Sequence, residues 1–133
     1  SAATIPVTLR TVNQDLGVNQ NVASFVVPVG ATINMDGTAI MQGLATVFIA
    51  QMSGIDLTLF QYIQVVLLAV ATSIGTAAVP SAGTITLIII LQQFNLPLEA
   101  IGIILAVDRV LDMIRTSVNV TGDAAIACIV AKT

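Results

Sequence analysis

The sequence predicts an all-α integral membrane protein on three observations. Only 8% of its 133 residues are charged, against about 25% in ordinary soluble domains. Residues 37–55 and 57–98 carry no charge at all, and tracts of that length approach or exceed the ~20 apolar residues that cross a bilayer as a helix. In the last segment, 97–131, the polar residues recur at helical spacing.

Taken in order, residues 1–12 read as a short apolar half-helix containing Pro6 and ending near Arg10, and "NQDLGVNQN" (13–21) as a polar turn facing water. Residues 22–29 are apolar, "GATINMDGT" (30–38) interrupts them, and a helix resumes over 39–52 until "SGID". Residues 22–29 are too short to cross a bilayer alone, so this is one span broken in its middle. Residues 57–73 and 84–94 are apolar arms joined by "SIGTAAVPSAG" (73–83), a helical hairpin that enters the membrane and turns back. The chain starts at "SAATIPVTLR" with no methionine, basic n-region or cleavage site of the A-x-A kind, and reads as a piece of a longer polypeptide. Its net charge of −3 says little about partners, and the lone Cys128, set in "AAIACIVA", is a small core hydrophobe that excludes an internal disulfide.

In hydrocarbon an unwound backbone leaves N–H and C=O groups unpaired, so breaks survive only where protein buries them or where they line a cavity or ion site. Two breaks in one short chain therefore point to a binding site, whose half-helix ends supply partial charges and whose freed carbonyls suit a sodium ion. The last helix adds to this. "VDRVLDMIRTSVNVTGD" places Asp108, Asp112, Arg115, Asn119 and Asp123 at steps of four, three, four and four, hence on one face, with Thr116 at its edge. Ionisable groups inside a membrane are costly and face the interior of the bundle. Three carboxylates against one guanidinium leave a deficit of positive charge that a bound cation would correct. An enzyme reading comes from "NMDGTA", which is close to the D-x-D-G-T motif of haloacid-dehalogenase-type phosphatases. Asn34 stands where their nucleophilic aspartate would be, and it forms no phosphoaspartate.

"NMDGT", "SIGTAAVPSAG" and "LDMIRTSVNVTGD", in this order, resemble signatures of the sodium-coupled glutamate and aspartate transporters, which include microbial aspartate symporters and the animal excitatory amino acid transporters. The resemblance covers essentially the whole chain. It implies a glutamate-transporter-like transport domain in which 1–12 is the second arm of a first re-entrant hairpin, 14–54 a broken seventh helix, 57–95 a second re-entrant hairpin and 97–133 the eighth helix. A scaffold domain that makes a homotrimer would be absent. The implied partners are an acidic amino acid and the lipid bilayer of the plasma membrane, crossed several times, with no nucleic acid and no enzymatic reaction.

By the same resemblance, Asn34 and Asp36 supply side-chain oxygens to one sodium ion. A second would take carbonyls of Gly30, Asn34 and Asn119 with the carboxylate of Asp123, and a third the carbonyls of Thr32, Ser73, Ile74 and Thr76 near Met35. Such oxygen sets suit a hard monovalent ion. Asp112 would hold the substrate amino group and Arg115 its side-chain carboxylate, with hydrogen bonds from Thr38, Thr116 and Asn119. The backbone around Val79 and Gly83 would close as a lid, and Ser1 would meet the α-carboxylate. Three positions depart from the animal pattern: Gln42 replaces a protonatable glutamate, Met113 a second arginine, and Ala78 a lid-tip glycine. The first two argue against proton and potassium countertransport. Arg109 lies beside the polar face, with Asp108 and Asp112 as its candidate partners, and has no assigned role.

Overall fold

The computed structural model describes residues 2–133, and Ser1, expected to face the substrate, lies outside them. The described residues are helical, without strands. A short 3-10 turn (Ala2–Thr4) leads into α1 (Ile5–Arg10), with Pro6 in its first turn, where its missing N–H costs no helical bond. The helix does not stop at Arg10 as expected. It widens into π-helical turns over Thr11–Asp15, because Val12 is fully buried and carries the ladder inward, so the polar turn is confined to residues 16–19.

Helix α2 (Gln20–Ile33) starts on Asn19, whose side chain accepts the Asn21 N–H at 2.8 Å. Helix α3 (Asp36–Met52) follows after only Asn34 and Met35. The expected interruption over 30–38 is thus narrower: Gly30 and Thr32 are still helical, and Gly37 and Thr38 are helical again. Helix α4 (Leu59–Ile74) opens on a capping box between Thr58 and Gln61. A tip over residues 75–81 turns the chain into α5 (Ala82–Gln93). Asn95, at φ 52°, and Pro97 end that arm, and a 3-10 turn (Leu98–Ala100) leads into the 30-residue α6 (Ile101–Val130).

Helix α6 packs along both α2 and α3, and α3 also carries the α4–α5 pair. Two separate apolar clusters result. One joins Met41, Ile49, Leu87, Leu91 and Ile104 from α3, α5 and the start of α6. The other joins Val12, Val18, Ala23, Val27 and Ala127 from the first helices and the end of α6. The polar residues lie between them. The outside carries many large apolar side chains, among them Phe25, Leu44, Leu59, Phe60, Leu67 and Ile85. No helix among the described residues is long and apolar enough to cross a membrane. The apolar tracts are divided between paired shorter helices, and the long helix carries Asp108, Arg109, Asp112, Arg115 and Asp123.

Candidate functional site

The break between α2 and α3 builds one side of the site. Asn34 (φ −109°, ψ 69°) and Met35 (φ −108°, ψ 54°) leave the helical region. The last carbonyls of α2 and the first N–H groups of α3 thereby lose their helical partners. The negative end of one half-helix and the positive end of the other meet here. One orphan donor, the Gly37 N–H, is taken by Asn119 Oδ1 on α6 at 2.8 Å, while the Asn119 amide reaches Thr38 Oγ1 at 3.4 Å.

This approach depends on residues without side chains. A Cβ on Gly37 would lie 2.6 Å from the Arg115 carbonyl oxygen, and one on Gly30 would fall on the Asp123 carboxylate. A Cβ on Gly122 would meet the Asn34 side chain at 2.7 Å. The end of α2 and the face of α6 therefore touch backbone to side chain, and Asn34 Nδ2 donates to Asp123 Oδ1 at 2.9 Å. The amide oxygen of Asn34, the orphan carbonyls beside it and the other oxygen of Asp123 remain as acceptors. Among the described residues no three carboxylates, thiols or histidines converge. Oxygens of Asp123 and Asn34 gather beside a cradle at Gly30 that a Cβ would fill, a donor set of the kind hard cations take. Asp36 sits in the first turn of α3 and is exposed. Thr32 and Ile74 are exposed as well, whereas Met35, Ser73 and Thr76 are buried.

The hairpin tip closes the other side. Thr38, Val79, Gly83, Asp112, Arg115, Thr116 and Asn119 line a single small polar pocket together with Met35, Thr76 and Ala78. The free space is about 20 Å³, room for one or two waters at most, and Ala78, Val79, Asp112 and Thr116 also border a wider cavity of about 520 Å³ beside Ala2–Thr4. Above it, the Ala2 N–H donates to the Ala78 carbonyl at 3.1 Å and joins the start of the chain to the tip.

Arg115 is buried, and its Nη2 donates to Asp112 at 2.8 Å and to Asp108 at 3.1 Å. Asp108 also accepts the hydroxyls of Ser81 and Thr84, each at 2.6 Å. Arg109, with Asp108 and Asp112 as its candidate partners, is exposed and forms no ion pair among the described residues, because Arg115 occupies the inner face of α6 that both carboxylates look onto. The parts of Ser81, Thr84, Thr72 and Thr86 were missed from sequence. Their hydroxyls sit in a stretch that reads only as a helix breaker or an apolar arm.

Gln42 proves to be a brace. It is fully buried, donates to the Gly83 carbonyl at 3.1 Å and to Thr86 Oγ1 at 2.6 Å, and accepts from Thr72 Oγ1 at 2.9 Å. One amide on α3 thereby holds both hairpin arms, and no buried side-chain polar atom of the described residues lacks a partner. Gln42→Leu is expected to lower stability by about 1–3 kcal/mol, the cost of stranding a buried acceptor. Thermal unfolding of the detergent-solubilised full-length protein checks it, and an unchanged midpoint would contradict the brace.

A sequence profile of the sodium:dicarboxylate symporter family matches residues 1–133. The chain belongs to the sodium:dicarboxylate symporter family. It is 50% identical over 124 residues to an excitatory amino acid transporter of Caenorhabditis elegans and 51% identical over 124 residues to human excitatory amino acid transporter 2. Each alignment covers 93% of this chain, and 25% and 22% of those proteins. Mouse excitatory amino acid transporter 4 is 45% identical over 130 residues, covering 98% of the chain and 23% of that protein. This symporter-family chain thus spans about a quarter of the length of the relatives it matches. The family and these relatives are transporters, not enzymes, which removes the phosphatase reading of "NMDGTA".

Proposed function

We propose that this chain forms the core of a transport domain that couples uptake of an acidic amino acid, aspartate or glutamate, to sodium, within a membrane carrier. The observation that carries the reading is the convergence of Thr38, Asp112, Arg115, Thr116 and Asn119 on one polar pocket under the hairpin tip, in a chain of a symporter family. In this reading, residues 1–12 are the second arm of a first re-entrant hairpin, 14–54 the broken seventh helix, 57–95 the second hairpin and 97–133 the eighth helix. A scaffold outside this chain forms a homotrimer, and the domain moves against it like an elevator in the plasma membrane.

Asp112 is half-buried, and only Arg115 is hydrogen-bonded to it among the described residues, so it keeps lone pairs for a substrate ammonium. Arg115 has five N–H donors in a planar fork, enough to bind a carboxylate while still touching its two aspartates. Val79 and Gly83 enclose the substrate backbone, and Ser1 is the candidate partner of its α-carboxylate. Sodium is carried along. Asn34 with Asp36, Asp123 with the carbonyls of Gly30, Asn34 and Asn119, and the carbonyls of Thr32, Ser73, Ile74 and Thr76 beside Met35 are the candidate holders. The ion at Asp123 offsets part of the carboxylate excess on α6, and all three steady the broken backbone on which Thr38 and Gly37 are mounted.

Linkage then requires that sodium raise substrate affinity and substrate raise sodium affinity by the same factor. With two or more ions bound per substrate, a tenfold rise in sodium should tighten aspartate binding by on the order of a hundredfold until the ion sites fill. Calorimetric titrations of aspartate into the full-length carrier at several sodium concentrations test this. Asp36→Asn and Asp123→Asn should each flatten the dependence. Sodium-independent affinity in the parent protein would end the proposal.

A further inference from the structure

Asp108 is the one carboxylate of the polar face to which the substrate and cation assignments give no task, yet it is buried and has three donors. Two are hydroxyls, of Ser81 at the end of the tip on Oδ2 and of Thr84 in the first turn of α5 on Oδ1, both at 2.6 Å, the short range of hydroxyl–carboxylate bonds. The third is Arg115 Nη2, on the same Oδ1 that Thr84 uses. Ser81 stands at φ 63°, ψ 1°, in the left-handed region, a conformation that a residue with a Cβ keeps only where its surroundings hold it.

We infer that Asp108 is a latch: it holds the hairpin tip shut through Ser81 and Thr84, and through the oxygen shared with Thr84 it positions Arg115. The inference rests on the reading of the tip as a lid. With the tip down, the charge of Asp108 is divided among three donors and the guanidinium is held only in part. With the tip raised, both hydroxyls depart, Asp108 has Arg115 as its sole partner, and the guanidinium is drawn from the pocket toward it. Closure and readiness for a carboxylate are therefore one event. Asp108 is a positioning residue and touches no substrate.

The test uses the full-length carrier and two readings: hydrogen exchange of the tip amides in sodium without any dicarboxylate, and the rate at which bound aspartate dissociates. Ser81→Ala and Thr84→Val should each speed both on the order of tenfold, as expected for losing a hydrogen bond to a charged group. Thr84→Ser, which keeps the hydroxyl, should behave as the parent. In an Asp108→Asn background, Ser81→Ala should add almost nothing, since the partners act as a unit. Unchanged tip exchange in both hydroxyl variants, full additivity with Asp108→Asn, or a Thr84→Ser variant as leaky as Thr84→Val would each overturn the latch. If Asp108→Asn does not fold, the hydroxyl variants decide alone. Tip exchange that responds in a protein that binds no dicarboxylate would sink the proposed substrate and leave the latch standing. Normal aspartate binding with an unresponsive tip would do the reverse.

Discussion

Arg115→Cys is expected to abolish binding of acidic amino acids by the full-length carrier and to admit serine or alanine in their place. Arg115 is the only guanidinium on the inner face of α6, and it lines the pocket together with Asp112 and Thr116. Removing one partner of a buried, hydrogen-bonded charge pair costs on the order of 2 to 5 kcal/mol, a loss in affinity of tens to thousands of fold. The structure makes the competing reading concrete. Arg115 already neutralises Asp108 and Asp112, and an arginine with that task alone would be structural. The two readings diverge in competition binding. A selectivity residue trades aspartate for serine while the protein stays folded. A structural one loses both ligands together with the thermal transition, or leaves aspartate bound at parental affinity.

Gly30→Ala should remove one sodium site with almost no other effect on the helix. Alanine is intrinsically better than glycine inside a helix by about 1 kcal/mol, so propensity alone predicts a gain. The added Cβ, however, falls on the Asp123 carboxylate. The acid must swing away, breaking its 2.9 Å bond from Asn34 and leaving the cradle filled. Sodium affinity should fall on the order of a hundredfold, equivalent to about 2.7 kcal/mol, and aspartate affinity should lose part of its sodium dependence through linkage. Gly43→Ala in α3 is the control, because nothing lies within 4 Å of the space its Cβ would enter. It should leave sodium binding at the parental value. Equal sodium affinity in both variants, read by isothermal calorimetry, would dissociate Gly30 and Asp123 from the ion.

Much of the architecture was legible in the sequence because hydrocarbon-like composition and helical periodicity are strong, local signals. The spacing of Asp108, Asp112, Arg115, Asn119 and Asp123 predicts one face; four of the five are buried on it, and Asp112 is half-buried at its edge. Boundaries were less legible. The interruption around "NMDGT" was read too wide because glycine and threonine usually weaken helices, yet Gly30 and Gly37 are helical, kept small by the contacts they make with α6. The turn after Arg10 was read too early because "NQD" is polar, while the burial of Val12 decides the backbone. Contacts that join distant parts of the chain left no local trace. Gln42 with Thr72 and Thr86, and Asp108 with Ser81 and Thr84, pair residues 24 to 44 positions apart. Each of these hydroxyls reads by itself as a helix breaker or a neutral filler.

The bond from the Ala2 N–H to the Ala78 carbonyl is made by main chain alone, and that sets how it can change over generations. Apart from proline at position 2, which has no N–H to give, no substitution at either residue deletes it. The Ser81 hydroxyl is different, since a single replacement removes it. Where the two segments meet is thus buffered against drift, while how firmly the tip is held down can be retuned one residue at a time.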